Sequence, residues 1–413
     1  MLLDGCGDRP APELNYTTPL EAAYTPCLDR IAASSRIGSV TTVGKGIAPE
    51  SDIAVFNMLG YSFKQGYPGR GVIEAVGSGL EVRKGDLALR ANLASARGRR
   101  IVDRRAGRNL TQEEAELLAR DLNGIRLEGA SFQFRATISY RGVLVIRGEE
   151  PLNAAISNTD PAYARVGGFG AAKEPSGTDH IMRCVPESSE EGAKRAAKLV
   201  NEFTLKAQEV LDSSEVNKER ARQGKLPANL VLLRDAGDHL PNPMPFEKKY
   251  GMAGTALVEM PAEVGIAKLL GMKMVPIKDR KDMSEKAGLF SSELKDGVVV
   301  YVHIKGPDEF GHDGDAGGKK KNIESIDAEF FSAVASHLDD TTVAVSCDHA
   351  TPCTLRRHSA DPVPLLVSGK GGGDGKRFNE ANAVLGSLGH MMGSEVMGKV
   401  VRGDFRSRTS SEA

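Results

Sequence analysis

The sequence predicts an α/β protein: a mostly parallel sheet core flanked by helices, with an inserted α+β domain. Three observations predict it. Short apolar runs alternate with helix-period segments through the second half of the chain, the pattern of strands joined by helical crossovers. Three apolar runs end in acidic or histidine residues: Leu2-Leu3 in Asp4, Val298–Ile304 in Gly-Pro-Asp308-Glu-Phe-Gly-His312, and Thr342–Ser346 in Cys-Asp348-His349. Ligands of open α/β sheets gather at the carboxyl ends of strands. Finally, 413 residues are too many for one compact core, so two domains are expected.

Asp4 follows only three residues, so either translation starts further upstream or the first strand is unusually short. Asp4–Pro10 is turn material. Pro19–Tyr24 and Pro26–Ala33 read as helices with Pro in the first turn. Ile37–Val43 is β-branched and reads as a strand. Ser51–Leu59 has helical spacing and a Gly stop at Gly60, which sets Ser51 near a helix N-terminus, a favourable place for an anion.

From about Gly66 the character changes. Gly66–Gly85 is Gly-rich. Asp86–Ala94 and Arg100–Arg104 read as strands, and Thr111 caps a helix running through Leu122 with an acidic first turn. Ala130–Arg147 alternates like a hairpin. Residues 67–184 are therefore expected to form the insertion, with 1–66 and 185–413 forming the core. Ser188–Arg222 reads as a long charged helix or helix pair. Asn229–Leu233, Thr255–Met260, Met274–Pro276, Val298–Ile304, Thr342–Ser346 and Pro364–Val367 read as core strands, with helices at Glu263–Leu270 and Ile323–Leu338.

Composition narrows the function. Hydrophobic residues make up 40% and charged residues 26%, ordinary for a soluble enzyme. The net charge of −1 gives no reason to expect nucleic acid or an anionic membrane as partner. No apolar run approaches the roughly 20 residues of a spanning helix, and no secretory leader is recognisable. Five scattered cysteines indicate a reduced, cytoplasmic chain. A small-molecule substrate is the remaining expectation, and the sequence sets no oligomeric state.

Seven residues at expected strand or helix ends are candidate metal ligands: Asp4, Ser51, Asp308, His312, Asp348, His349 and His358. Mg²⁺ prefers oxygen donors, whereas Mn²⁺ and Zn²⁺ also accept imidazole. Asp308 and His312, four apart, share one side of a helical turn. Asp348 and His349 are adjacent and point apart, so they can serve two neighbouring ions. A free serine hydroxyl is a poor nucleophile at pH 7, and metal coordination activates it. Ser51 is thus the candidate nucleophile of a phosphoryl-transfer site.

These residues resemble the alkaline phosphatase superfamily, and within it the archaeal-type 2,3-bisphosphoglycerate-independent phosphoglycerate mutases, over almost the full length. The resemblance rests on Leu3-Asp4-Gly-Cys-Gly-Asp-Arg-Pro10, Thr18–Pro26, Pro49-Glu-Ser-Asp-Ile-Ala54 and Gly85-Asp86 to Asn92. It continues in Asp103-Arg-Arg-Ala-Gly-Arg108, Asp308–Asp315 and Asp348-His-Ala-Thr-Pro352. It implies an alkaline-phosphatase-like core and an isomerase of glycolysis and gluconeogenesis. That enzyme would interconvert 3-phosphoglycerate and 2-phosphoglycerate through a phosphoserine on Ser51. It implies two divalent ions (Mn²⁺ or Mg²⁺, with Zn²⁺ or Co²⁺ as further candidates) and no 2,3-bisphosphoglycerate. Asp308, His312 and His358 would hold one ion; Asp4, Ser51, Asp348 and His349 the other. The chain departs from the family pattern at Glu50 and Cys347, where the family usually has Gly.

A mutase must shield its phosphoserine from water, which gives the insertion a purpose as a lid. It must also hold a carboxylate. Arg104, Arg105 and Arg108 form a guanidinium cluster suited to that task. Arg90 and Asn92 come next, followed by Arg234 and Lys305. A phosphomonoesterase or phosphodiesterase using the same site is the rival enzyme, and a silent phospho-ligand binder the rival of another class. Lys319-Lys-Lys321 reads as a solvated helix start, Gly369–Lys376 as a surface loop, and His303 as a structural histidine.

Overall fold

A computed structural model describes residues 1–62, 67–166, 169–172, 179–279, 282–337, 341–368 and 372–403. Two compact units divide the chain. The first comprises Met1–Ser62, Pro243–Glu259 and Leu270–Ala413; the second comprises Phe63–Asn242 and Met260–Leu269.

The first unit is built on an eight-stranded sheet. Its order is Lys273–Met274, Ala253–Leu257, Val298–Ile304, Leu2–Leu3, Ala344–Cys347, Val363–Ser368, Ser35–Thr41 and Gly389–Met392. Among the described strands, only Val363–Ser368 runs against its neighbours. The two-residue strand is well held despite its length. It pairs in parallel with Val298–Ile304 on one side and Ala344–Cys347 on the other. The Met1 amino group donates to Ala344 O at 2.8 Å, and Asp4 N donates to Ile304 O at 2.9 Å. Asp4 therefore leaves the sheet from a central position, between the strands that lead to Asp308 and Asp348.

The second unit contains an antiparallel sheet whose long strand, Leu87–Arg97, pairs with Arg141–Gly148, Leu230–Gly237 and, at its end, Arg100–Asp103. Alternation decides its two faces. Leu87, Leu89, Ala91 and Leu93 pack with helices Gln112–Asn123 and Glu191–Ser213, whereas Ala88 packs with Val72 and Ala75. Thr111 caps its helix as expected, through a capping box with Glu114.

Two expectations are corrected here. The strand expected in the core at Asn229–Leu233 is Leu230–Gly237 and belongs to the second unit, because its apolar residues complete that sheet against Leu87–Arg97. This unit consequently runs past 184 to Asn242 and takes in 260–269, so the insertion is longer than 67–184. The expected boundary at 66 falls on 63–66, which lie outside the described residues, as do 369–371 of the expected surface loop. Arg70–Gly77, within the Gly-rich stretch, is a helix. Its glycines serve close packing rather than turning. A Cβ on Gly71 would come within 2.4 Å of Ala88 O, and one on Gly77 within 1.8 Å of Pro261 O.

Candidate active site

The three strand ends deliver their polar residues to one place. Asp4 follows Leu2–Leu3, and Asp348-His349 follows Ala344–Cys347. The strand Val298–Ile304 leads through Gly306 into the helix Pro307–Asp313, which carries Asp308 and His312 one turn apart. Ser51 is the first residue of the helix Ser51–Met58, with Glu50 at the N-cap. The serine is thus inside the helix rather than its cap, and it is buried.

Ser51 Oγ lies 3.2 Å from His349 Nε2 and 3.5 Å from Asp4 Oδ1. His349 Nε2 is 3.4 Å from Asp348 Oδ2 and 3.7 Å from Asp4 Oδ1. Lys305 Nζ is 3.2 Å from Asp4 Oδ2, which sets it among the carboxylates rather than on the surface. A second group adjoins the first. His358 Nε2 is 3.5 Å from Asp308 Oδ1, and His312 Nε2 is 3.5 Å from Asp308 Oδ2. The rings of His349 and His358 stack with centroids 3.9 Å apart. Glu50, one of the two departures from the family pattern, brings Oε1 to 3.9 Å from His358 Nδ1.

Backbone and hydroxyl groups orient these rings. The Nδ1 of His358 meets Pro49 O at 2.8 Å, that of His312 meets Arg356 O at 3.2 Å, and that of His349 meets Thr351 Oγ1 at 3.1 Å. Each ring so turned presents Nε2 to the carboxylates, the arrangement found around metal-ligating histidines. Thr351 also donates to Asp308 Oδ1 at 2.6 Å, and Gly5 N donates to Asp348 Oδ1 at 3.0 Å. Gly5 has φ +55°, and a Cβ there would lie 2.6 Å from Asp308 Oδ1, so only glycine lets the two segments approach.

The electrostatics are those of a cation site. Burial raises the Asp4 carboxyl to about 7; Lys305 pulls it down, while Asp348 and Asp308 push it further up. Burial likewise works against ionised Asp348, yet His349, His303 and Lys305 hold it far below the usual carboxylate range. Burial lowers His349 to about 4, so its imidazole is neutral at physiological pH. Desolvation opposes protonation of His358 too, but Asp308 and Glu50 carry it up to about 10. The donor set fits divalent ions: three carboxylates, a hydroxyl and several imidazoles converge with their donor atoms inward. Two clusters have ligand atoms within 4.8 Å of one another, Asp308-His349-His358 and Asp4-His303-Asp348. All seven sequence-predicted ligands are in this neighbourhood. His303, read as structural, is there as well. Its signal was its place one residue before the end of the strand that carries Asp308.

The arginines belong to the second unit and form a cluster of their own. Asp160, fully buried, accepts from Arg104 Nε at 3.1 Å, from Arg104 again through its second nitrogen, and from Arg234 Nη1 at 3.2 Å. Both guanidinium groups lie over the Tyr163 ring, 5.2 and 4.3 Å from its centroid. Arg90 bridges Glu74 at 3.0 Å and Asp235 at 3.2 Å, and Asn92 donates to Arg104 O at 3.4 Å. Arg105 is half-buried and Arg108 exposed. Asp160 and Tyr163 escaped sequence reasoning because both lie far in sequence from Arg104 and Arg234.

A family model described as 2,3-bisphosphoglycerate-independent phosphoglycerate mutase matches residues 32–217. A protein of that name from Aeropyrum pernix is 43% identical, over 95% of this chain and 96% of the relative. Another from Methanopyrus kandleri is 39% identical, over 95% and 93%. The solved cofactor-independent phosphoglycerate mutase of Thermoplasma acidophilum is 31% identical, with a TM-score of 0.60 over 97% of each chain. A solved protein of Pyrococcus horikoshii has a TM-score of 0.77 at 29% identity, over 99% of this chain and 98% of that one.

Proposed function

The chain belongs to the family of 2,3-bisphosphoglycerate-independent phosphoglycerate mutases, and from that premise we propose that Ser51 carries the phosphoryl group between the two hydroxyls of glycerate. The observation that supports this most is the setting of Ser51: a buried hydroxyl on the first turn of a helix, 3.2 Å from His349 and 3.5 Å from Asp4. Ser51 Oγ attacks phosphorus of 3-phosphoglycerate, the bond to the substrate oxygen breaks, and phosphoserine and glycerate result. The 2-hydroxyl of glycerate then attacks the phosphoserine and regenerates free Ser51. The helix N-terminus and Lys305 favour the anionic phosphoryl group.

Asp308, His312 and His358 would hold one divalent ion and Asp4, Ser51, Asp348 and His349 the other; bound there, they supply charge stabilisation and a lowered serine pKa. Mn²⁺ or Mg²⁺ are the favoured ions. Arg104, Arg105, Arg108, Arg90, Asn92 and Arg234 are proposed to bind the substrate carboxylate and phosphate. The lid role of the second unit, and the place of the reaction in cytoplasmic glycolysis and gluconeogenesis, belong to the same proposal. Among the described residues no helix is long and apolar enough to cross a membrane.

The test is conversion of 3-phosphoglycerate to 2-phosphoglycerate without bisphosphoglycerate, with and without Mn²⁺. Metal-dependent conversion is expected. Released phosphate in excess of 2-phosphoglycerate would overturn the mutase reading in favour of a hydrolase.

A further inference from the structure

The strand Val298–Ile304 delivers one more imidazole to the site. His303 pairs in register with Leu2, directly beside the chain that leads into Asp4, and is only 1% exposed. Its Nε2 lies 3.4 Å from Asp348 Oδ2 and 3.8 Å from Asp4 Oδ1. His349 Nε2 approaches the same two oxygens at 3.4 and 3.7 Å. Two imidazole nitrogens thus face one pair of carboxylate oxygens at matching distances. Bonds of about 2.1 Å to a shared ion put neighbouring ligand atoms roughly 3–4 Å apart. The separations around Asp4, His303 and Asp348 are of that size.

We propose that His303 is a further nitrogen ligand of the ion held by Asp4 and Asp348, in addition to His349. The proposal rests on the two-ion reading above and extends it to metal choice. Two imidazoles beside two carboxylates make a donor set for Mn²⁺, Co²⁺ or Zn²⁺; Mg²⁺ prefers oxygen and keeps its waters. His303 therefore sets a preference for the nitrogen-accepting ions at this position. The competing role for a buried histidine is a hydrogen bond to the Asp348 carboxylate, which orients a ligand without adding a nitrogen.

The experiment uses the full chain loaded with Mn²⁺. Metal content is measured, and coordinated nitrogens are counted by electron spin-echo modulation, in the wild type, His303→Gln, His349→Gln and His303→Asp. His303→Gln is expected to lose one coordinated nitrogen and to bind one Mn²⁺ on the order of tenfold more weakly. Its Mg²⁺ binding should change much less. His303→Asp should restore metal content with one nitrogen fewer than the wild type, which also guards against a folding defect in the glutamine variant. A wild-type nitrogen count in His303→Gln and His303→Asp, with a nitrogen lost in His349→Gln, overturns the proposal and leaves the two-ion reading intact. If none of the variants alters metal content or nitrogen count, the two-ion reading itself fails.

Discussion

His312 Nε2 and His358 Nε2 stand 3.2 Å apart, each turned there by a backbone carbonyl on its other nitrogen. Two ring nitrogens at that distance need a proton or a metal ion between them. With Asp4 and Asp348 close to the same place, a divalent cation relieves repulsion that folding alone creates. Added Mn²⁺ should raise the melting temperature, by roughly 3 kcal/mol of stability at a hundredfold excess over Kd. Chelation should reverse this and abolish turnover. Calorimetry with and without chelator checks both.

Ser51→Ala removes the acceptor oxygen and leaves the helix cap, Glu50, in place. Turnover should fall by roughly 10⁴-fold or more, the scale on which loss of a covalent nucleophile acts. The melting temperature should hardly move. Mass spectrometry of the quenched wild-type enzyme should find phosphate on the peptide containing Ser51, and the alanine variant should lack it.

Asp160 is the anchor for Arg104 and Arg234. Asp160→Asn keeps the shape, takes the buried counter-charge from Arg104 and leaves Arg234 only Asp235, 3.5 Å away. A loss of about 3 kcal/mol or more is expected, the range for breaking a buried pair from one side. The KM for 3-phosphoglycerate should rise more than kcat falls. Urea denaturation and steady-state kinetics separate the two effects.

Lys319 is fully buried, contrary to its reading as a solvated helix start. Its ammonium donates to Asp8 Oδ2 at 2.7 Å, Thr351 O at 3.0 Å and Gly7 O at 3.2 Å. Lys319→Met should cost about 3–5 kcal/mol, because Asp8 keeps its charge and loses its partner. Lys321→Met, on the exposed side of the same helix, should stay within about 0.5 kcal/mol. Paired denaturation curves decide.

Glu380 accepts from Asp8 N at 3.0 Å and from Thr18 Oγ1 at 2.6 Å, and burial raises its carboxyl to about 7. The folded state therefore binds this proton more tightly than the unfolded chain. Glu380's contribution to stability is complete below pH 4.5 and falls as pH rises to 7. Glu380→Gln should flatten that decline, and its advantage over the wild type should be greatest above pH 7. Melting temperatures from pH 4.5 to 8 measure it.

Most of the candidate ligands were legible because they follow apolar runs, and strand ends are where an α/β sheet collects its chemistry. Their second supports were not. Thr351 reaches Asp308, 43 residues away in sequence, and Asp160 and Tyr163 meet Arg104 and Arg234 across still longer separations. Lys319 was misread for the same reason: three lysines in a row look solvated until the helix faces are known, and one face of Ala316–Ile326 turns toward Asp8. Leu230–Gly237 has the same strand pattern whichever sheet it joins, so only pairing with Leu87–Arg97 assigns it. His303 sat in a β-branched run where a single histidine reads as filler.

The two-residue strand Leu2–Leu3 bears on how the protein is made. Its neighbours in the sheet, Ile304 and Cys347, emerge from the ribosome some 300 or more residues later. At ordinary rates of synthesis that is a wait on the order of half a minute. During it the second unit, continuous from Phe63 to Asn242 but for one late helix, has time to begin folding on its own. The amino terminus, by contrast, stays unpaired until translation is nearly over. Assembly of this sheet edge is thereby among the last events of biogenesis, and truncated products lack the strand ends that bring Asp308, Asp348 and His349 to Ser51.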